Sequence, residues 1–138
     1  MRWAAEYKYA IITKDDKPFT KGLEDIVNKS IARKEGSATI TQILKQYPNT
    51  KIIETENFLD SLRKVSKEEA YAALAILPTL SYNSSHFNTK HIQIAGYTDI
   101  EMNLSIASRK DKIILHNILE KALSKITEKE HKDIQNKW

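Results

Sequence analysis

The sequence has no cysteine, and only three glycines, three prolines and two tryptophans in 138 residues. Without cysteine there is no disulfide framework, no thiolate zinc site and no thiol nucleophile. Glycine is too sparse for phosphate-gripping loops, and neither Gly-x-x-x-x-Gly-Lys-Ser/Thr nor Gly-x-Gly-x-x-Gly occurs. No apolar run reaches the roughly 18 residues of a membrane helix. The longest, Ala70 to Leu77, reads as a buried strand entering a helix. The start, Met1-Arg2-Trp3-Ala4-Ala5-Glu6, lacks the apolar core of a signal peptide, so an exported form owes its targeting to a segment upstream or removed.

Charge does not point to a polyanionic partner. Lys+Arg number 22 against 18 Asp+Glu, a formal net charge of +4. The signs interleave, as in Lys14-Asp15-Asp16-Lys17, Arg33-Lys34-Glu35 and Glu128-Lys129-Glu130. Such runs make a solvated mixed face, and nucleic acid is not expected as a partner. With 41% hydrophobic and 29% charged residues, the composition is that of an ordinary globular domain. A chain of this length buries roughly 70% of its unfolded surface. It therefore needs neither disulfide nor metal to fold.

Catalytic patterns are also missing. The histidines His86, His91, His116 and His131 have no metal-ligand spacing with one another or with an acid, and read as surface residues. The carboxylate pairs Asp15-Asp16, Glu24-Asp25 and Glu68-Glu69 are adjacent in sequence. General acid–base work needs carboxylates converging in a cleft. No Gly-x-Ser-x-Gly elbow occurs. The expectation is a protein without catalytic residues, metal or cofactor.

What is present is an alternation. Tyr7 to Thr13 is rich in β-formers and runs into the turn Lys14-Asp15-Asp16-Lys17-Pro18. Thr20 to Val27 reads as a helical turn, Lys29 to Lys34 as a strand, and Thr39 to Gln46 as a helix with Ile40, Ile43 and Leu44 on one face. Lys51 to Glu54 is a strand; Asn57 to Val65 is an amphipathic helix with Phe58, Leu59, Leu62 and Val65 inward. Ala70 to Ile76 is a strand, and Pro78 opens a helix running to about Ser84. Two more strands, His91 to Ala95 and Met102 to Ser108, lead to a helix Ile113 to Lys125 with Asp111 as its cap. Its apolar stripe is Ile114, Leu115, Ile118, Leu119, Ala122 and Leu123. Thr127-Glu128-Lys129-Glu130 is a capping box for a final helix, which Trp138 anchors. This order predicts an α/β, three-layer lobe with a mostly parallel sheet of about five strands and a C-terminal helical pair, all within one domain, 1–138.

The most informative local feature is the strand–helix turn Glu35-Gly36-Ser37-Ala38-Thr39. Ligands of open α/β sheets lie beyond the carboxyl ends of strands, where free helix N–H groups favour an anion. Gly36 lets the backbone approach a ligand, and Ser37 and Thr39 add hydroxyls. The plainer alternative is that Ser37 caps its own helix and Gly36 makes the turn. The aromatics Trp3, Tyr7, Tyr9 and Phe19 admit two readings as well, as stacking surface or as packing.

In order, these pieces resemble the bacterial extracellular solute-binding protein family 3, the type 2 periplasmic binding fold. The resemblance is carried by Tyr9 to Glu54, Leu62 to Ser85 and His91 to Trp138, and within them by Gly36-Ser37-Ala38, Tyr47-Pro48-Asn49 and Arg109-Lys110-Asp111. The ending from Ile126 to Trp138 is similar to the branch that serves histidine kinases and diguanylate cyclases as an extracytoplasmic sensor. The family's module has two lobes joined by two crossing strands. The resemblance implies crossing strands at about 7–13 and 102–108, closing helices at about 112–138, and lobe two between them, with most of lobe one missing.

By the same resemblance, ligand-binding residues are Gly36, Ser37, Ala38 and Thr39, which match the turn that holds a ligand carboxylate, with Ile76 and Leu77 at the end of the strand from Ala70. The lobe-one arginine that completes the family's clamp has no counterpart here. Amino-acid binders place an Asp where this chain has Ile76, which cannot neutralise an ammonium. The ligand implied is a carboxylate or an apolar metabolite. The implied role is a non-enzymatic sensor lobe of an extracytoplasmic or periplasmic receptor anchored in the inner membrane. Alternatives are a transport-type binding protein serving a permease, and an assembly module that forms a homodimer through the face lobe one would cover.

Overall fold

The computed structural model describes residues 3–84, 91–105 and 108–137. The elements run β1 (Trp3–Lys14), a 3-10 turn (Leu23–Asp25), β2 (Ser30–Lys34), α1 (Ala38–Gln46), β3 (Lys51–Thr55), α2 (Phe58–Ser66), β4 (Ala72–Ala75), α3 (Leu77–Ser84), β5 (Ile92–Ser105), α4 (Ile113–Lys125) and α5 (Glu128–Lys137). The strands form one five-stranded sheet in the order β3-β2-β4-β1-β5. Its β3-β2-β4 part is parallel, with Ile31 opposite both Ile52 and Ala72. β1 joins β4 antiparallel, pairing Ala10 with Ala75 and Ile12 with Ala73.

Strand parity sorts the side chains. Ala32 and Ala73 pack on Val65 of α2, while Ile12 and Ala75 meet Leu62 one turn earlier. The intervening residues Ile11, Ile31 and Leu74 go to the other face and are fully buried as well. Arg33 shares their parity and meets Thr39 of α1 there, so α1 starts on the face opposite α2. Helices on both faces of the sheet give the expected layers.

Local chemistry fixes the ends of α2. Asn57 is its N-cap, with Oδ1 accepting from the Asp60 N–H at 2.8 Å. At the other end the Glu69 N–H reaches Lys64 O and the Glu68 N–H reaches Val65 O, the paired bonds of a Schellman motif. Glu68 takes the left-handed position with φ 61°.

Three expectations change. The two strands expected at His91 to Ala95 and Met102 to Ser108 are one strand, β5, through Gly96 and Asp99. Thr98 is satisfied inside it, donating to Tyr9 O and accepting from the Ile100 N–H. Gly96 is required there by the Thr20 carbonyl, which would lie 2.5 Å from an added Cβ. Asp111 does not cap α4: the N-cap is Lys112, without a side-chain bond, and Asp111 pairs with Arg109. The expected inward stripe of α4 is largely exposed, Ile114 at 77% and Ile118 at 58%, with Leu123 its buried residue. The capping box is as expected, the Glu130 N–H donating to Thr127 Oγ1 and the Thr127 N–H to Glu130 Oε2. Trp138 and His86 lie outside the described residues.

The chain divides into two compact units, one of residues 8–101 and one of residues 1–7 with 102–138. The first holds α1 to α3; the second holds α4 and α5. Among the described residues no helix is long and apolar enough to cross a membrane.

Candidate functional site

The candidate site lies in the unit of residues 8–101, at the carboxyl ends of β2 and β4. After Lys34 the chain turns through Gly36 at φ 73°, and an added Cβ there would meet nothing within 4 Å. Ser37 follows in extended geometry as the N-cap of α1, but its side chain makes no capping bond. The plainer reading of Ser37 as a side-chain cap is therefore not what the structure has. Gly36 and Ala38 are exposed and Ser37 is half-buried, so the turn faces solvent.

Thr39, by contrast, is only 5% exposed. Its Oγ1 accepts a 2.6 Å hydrogen bond from Arg33 Nε. Arg33 Nη1 donates to Leu74 O at 2.7 Å, and the guanidinium carbon lies 4.9 Å from the centroid of the Tyr9 ring. The β2–β4 pairing stops at Ala32 and Ala73, so the Arg33 side chain serves a carbonyl just past the ladder's end. Burial lowers the Arg33 pKa from its ordinary value, and the neighbouring Tyr9 opposes that shift.

The apolar wall is the segment after β4. Ile76 is 9% exposed and Leu77 44% exposed. The β1–β4 register, continued one residue beyond Ala10 and Ala75, sets Tyr9 opposite Ile76. Arg33 thus links Thr39 of the turn to Leu74, two residues before Ile76.

Arg33 is not among the residues singled out in the sequence, and Tyr9 is there only as one of four aromatics that stack or pack. In sequence Arg33 sits in the mixed run Arg33-Lys34-Glu35, which reads as solvated. The available signal is parity: an alternating strand turns Arg33 and Lys34 to opposite faces, and Arg33 shares the face of the buried Ile31. Of the four aromatics, Tyr9 is buried, Tyr7 half-buried and Phe19 exposed.

No group of three or more potential metal ligands occurs among the described residues. A separate groove of about 500 Å³ lies at the other ends of β2 and β3, lined by Val27, Asn28 and Gln46 to Thr50. It gathers no charged side chain.

No family model matches the chain. It is 24% identical over 129 residues to the virulence sensor protein BvgS of Bordetella bronchiseptica, covering 93% of this chain and 10% of that protein. The protein of the same name in Bordetella pertussis is 23% identical over the same length. Among solved structures, the periplasmic VFT2 domain of Bordetella pertussis BvgS superposes with a TM-score of 0.76 at 21% identity, covering 99% of this chain and 59% of that one. An ancestral arginine-binding protein bound to arginine gives 0.72 at 23%, covering 99% and 62%. The chain therefore has the fold of these binding and sensor domains, and spans about three fifths of their solved length and 10% of the whole sensor protein.

Proposed function

We propose that this chain is the ligand-binding lobe of a periplasmic sensor module, without catalytic activity of its own. The observation that carries this reading is the solvent-facing start of α1, with an uncapped Ser37 side chain at the ends of parallel strands, in a fold shared with a sensor's periplasmic domain and with arginine-binding proteins. Gly36, Ser37, Ala38 and Thr39 form the polar side of the site, and Ile76 and Leu77 the apolar side. In this reading the other lobe corresponds to the part of the solved domains, about two fifths, that this chain does not cover. Ligand bridging both lobes would shift an open–closed equilibrium by its difference in affinity for the two states.

Thermal unfolding of this chain, and of the longer two-lobed protein, tests the reading against carboxylates, amino acids and small apolar metabolites. A ligand that binds the native state raises Tm in proportion to ln(1 + [L]/Kd). A saturable rise with one class supports the role, and no rise with any class sinks it. Stabilisation by common α-amino acids would overturn the part assigned to Ile76. A sensor is distinguished from a transport-type binding protein by the parent's domain order.

A second reading, an assembly module, is favoured by α4, whose Ile113, Ile114, Leu115 and Ile118 are all exposed. Sedimentation velocity over a concentration series decides it. A strict monomer removes that reading, and a dimer dispersed by Ile118→Glu supports it.

A further inference from the structure

We infer that Arg33 selects the charge of the ligand, making the site one for a carboxylate or similar anion that carries no ammonium group. The inference rests on the ligand-binding reading above and adds a residue that neither the turn at Gly36 nor the wall at Ile76 supplies.

Every partner of the Arg33 guanidinium among the described residues is neutral. They are the Thr39 hydroxyl, the Leu74 carbonyl and the Tyr9 side chain. The ion pairs found among the described residues all lie elsewhere. Even Glu54, opposite Arg33 in the β2–β3 register, is exposed and makes no ion pair with it. A guanidinium is not needed to satisfy one strand-end carbonyl and one hydroxyl, because a neutral amide donates as well. Within the described chain the charge meets the Tyr9 ring but no anion, although partial burial makes it costly to keep.

The surroundings make that charge available to a ligand. Thr39 Oγ1, in accepting from Nε, keeps its own hydrogen to donate. The Tyr9 ring lies 4.9 Å from the guanidinium carbon, and Thr39, which accepts from Arg33, directly follows the solvent-facing turn at Gly36–Ala38. An anion placed here gains a charge-assisted fork of N–H donors. An α-amino acid gains the same at its carboxylate, but sets its ammonium near Ile76, which offers no acceptor.

Three molecules of one carbon skeleton test this: propionate, propionamide and alanine. They would be titrated into the ¹⁵N-labelled chain while following the Arg33 Nε–H resonance and the amides of Ser37 and Ala38. The expected result is a saturable shift with propionate, with Kd on the order of millimolar for one lobe. Propionamide and alanine should bind about tenfold more weakly or worse, and Arg33→Gln should weaken propionate by about tenfold, with Arg33→Lys between. Equal binding of propionate and propionamide overturns the inference, as does unchanged propionate binding in a folded Arg33→Gln. If Arg33→Gln does not fold, the carboxylate–carboxamide comparison in the unmodified chain decides alone. Saturable shifts with propionamide or alanine that propionate does not exceed leave the ligand-binding reading standing and remove Arg33 from it. No saturable shift with any of the three removes both.

Discussion

Gly36 and Glu68 both hold positive φ, 73° and 61°, yet only one is glycine. At Gly36 nothing lies within 4 Å of an added Cβ, so Gly36→Ala meets no steric neighbour and isolates the backbone term. We expect a loss of about 1 kcal/mol, read as a lower urea midpoint at unchanged slope. Glu68 carries the same penalty at the end of α2, and its ion pairs with Lys14 and Lys17 are exposed. Since such pairs contribute little, Glu68→Gly should raise the midpoint, by up to about 1 kcal/mol. Gly96 differs from both: it needs no unusual φ, but a Cβ would sit 2.5 Å from the Thr20 carbonyl and 2.6 Å from Thr20 Oγ1. Gly96→Ala should cost about 1–3 kcal/mol, because a backbone atom cannot rotate away. Composition ranks these three positions poorly. Gly36 was legible as a turn and Arg33 was not legible as part of the site, since a charge run hides that adjacent strand residues face opposite ways.

The regular elements show where periodicity informs and where it stops. The bounds of α4 follow from its apolar spacing, and those of α5 from its capping box, because both signals are local. Thr127→Ala should cost about 1 kcal/mol, seen as faster amide exchange in the first turn of α5 with little effect on β1 or β4. What covers an apolar stripe is not local. Ile114 and Ile118 have the spacing of core residues and are exposed, so the pattern located a face and not its partner. The pattern gives two strands, His91 to Ala95 and Met102 to Ser108, where the structure has the single strand β5. The long-range bond from Thr98 to Tyr9 O carries the strand through, and a bond between residues 89 positions apart leaves no trace in a sequence window.

The two units differ in what they bury. Residues 8–101 hold most of the fully covered side chains, among them Ile11, Ile12, Ile31, Leu62 and Leu74, whereas α4 and α5 show only Leu123 buried among their described side chains. Native-state hydrogen exchange should therefore show β1, β2 and β4 as the slowest amides, and α4 and α5 exchanging well before them. Equal protection in both sets would mean that contacts other than these hold the helices. The alternation of strands and helices gave the α/β architecture, whereas the order β3-β2-β4-β1-β5 depends on pairings across tens of residues.

The strand at the centre of that order is made of Ala72, Ala73, Leu74 and Ala75, none more than 2% exposed. Alanine scores well below isoleucine in hydropathy, so a search for the core by hydrophobicity would rank three of these positions behind the exposed isoleucines of α4. Volume gives the opposite ranking. Between β2 and β1, with Val65 and Leu62 above, three of the four sites were filled by the smallest side chain that has a Cβ. A tolerance map of the protein would thus be narrowest where the residues look least demanding, and widest along the greasiest helix.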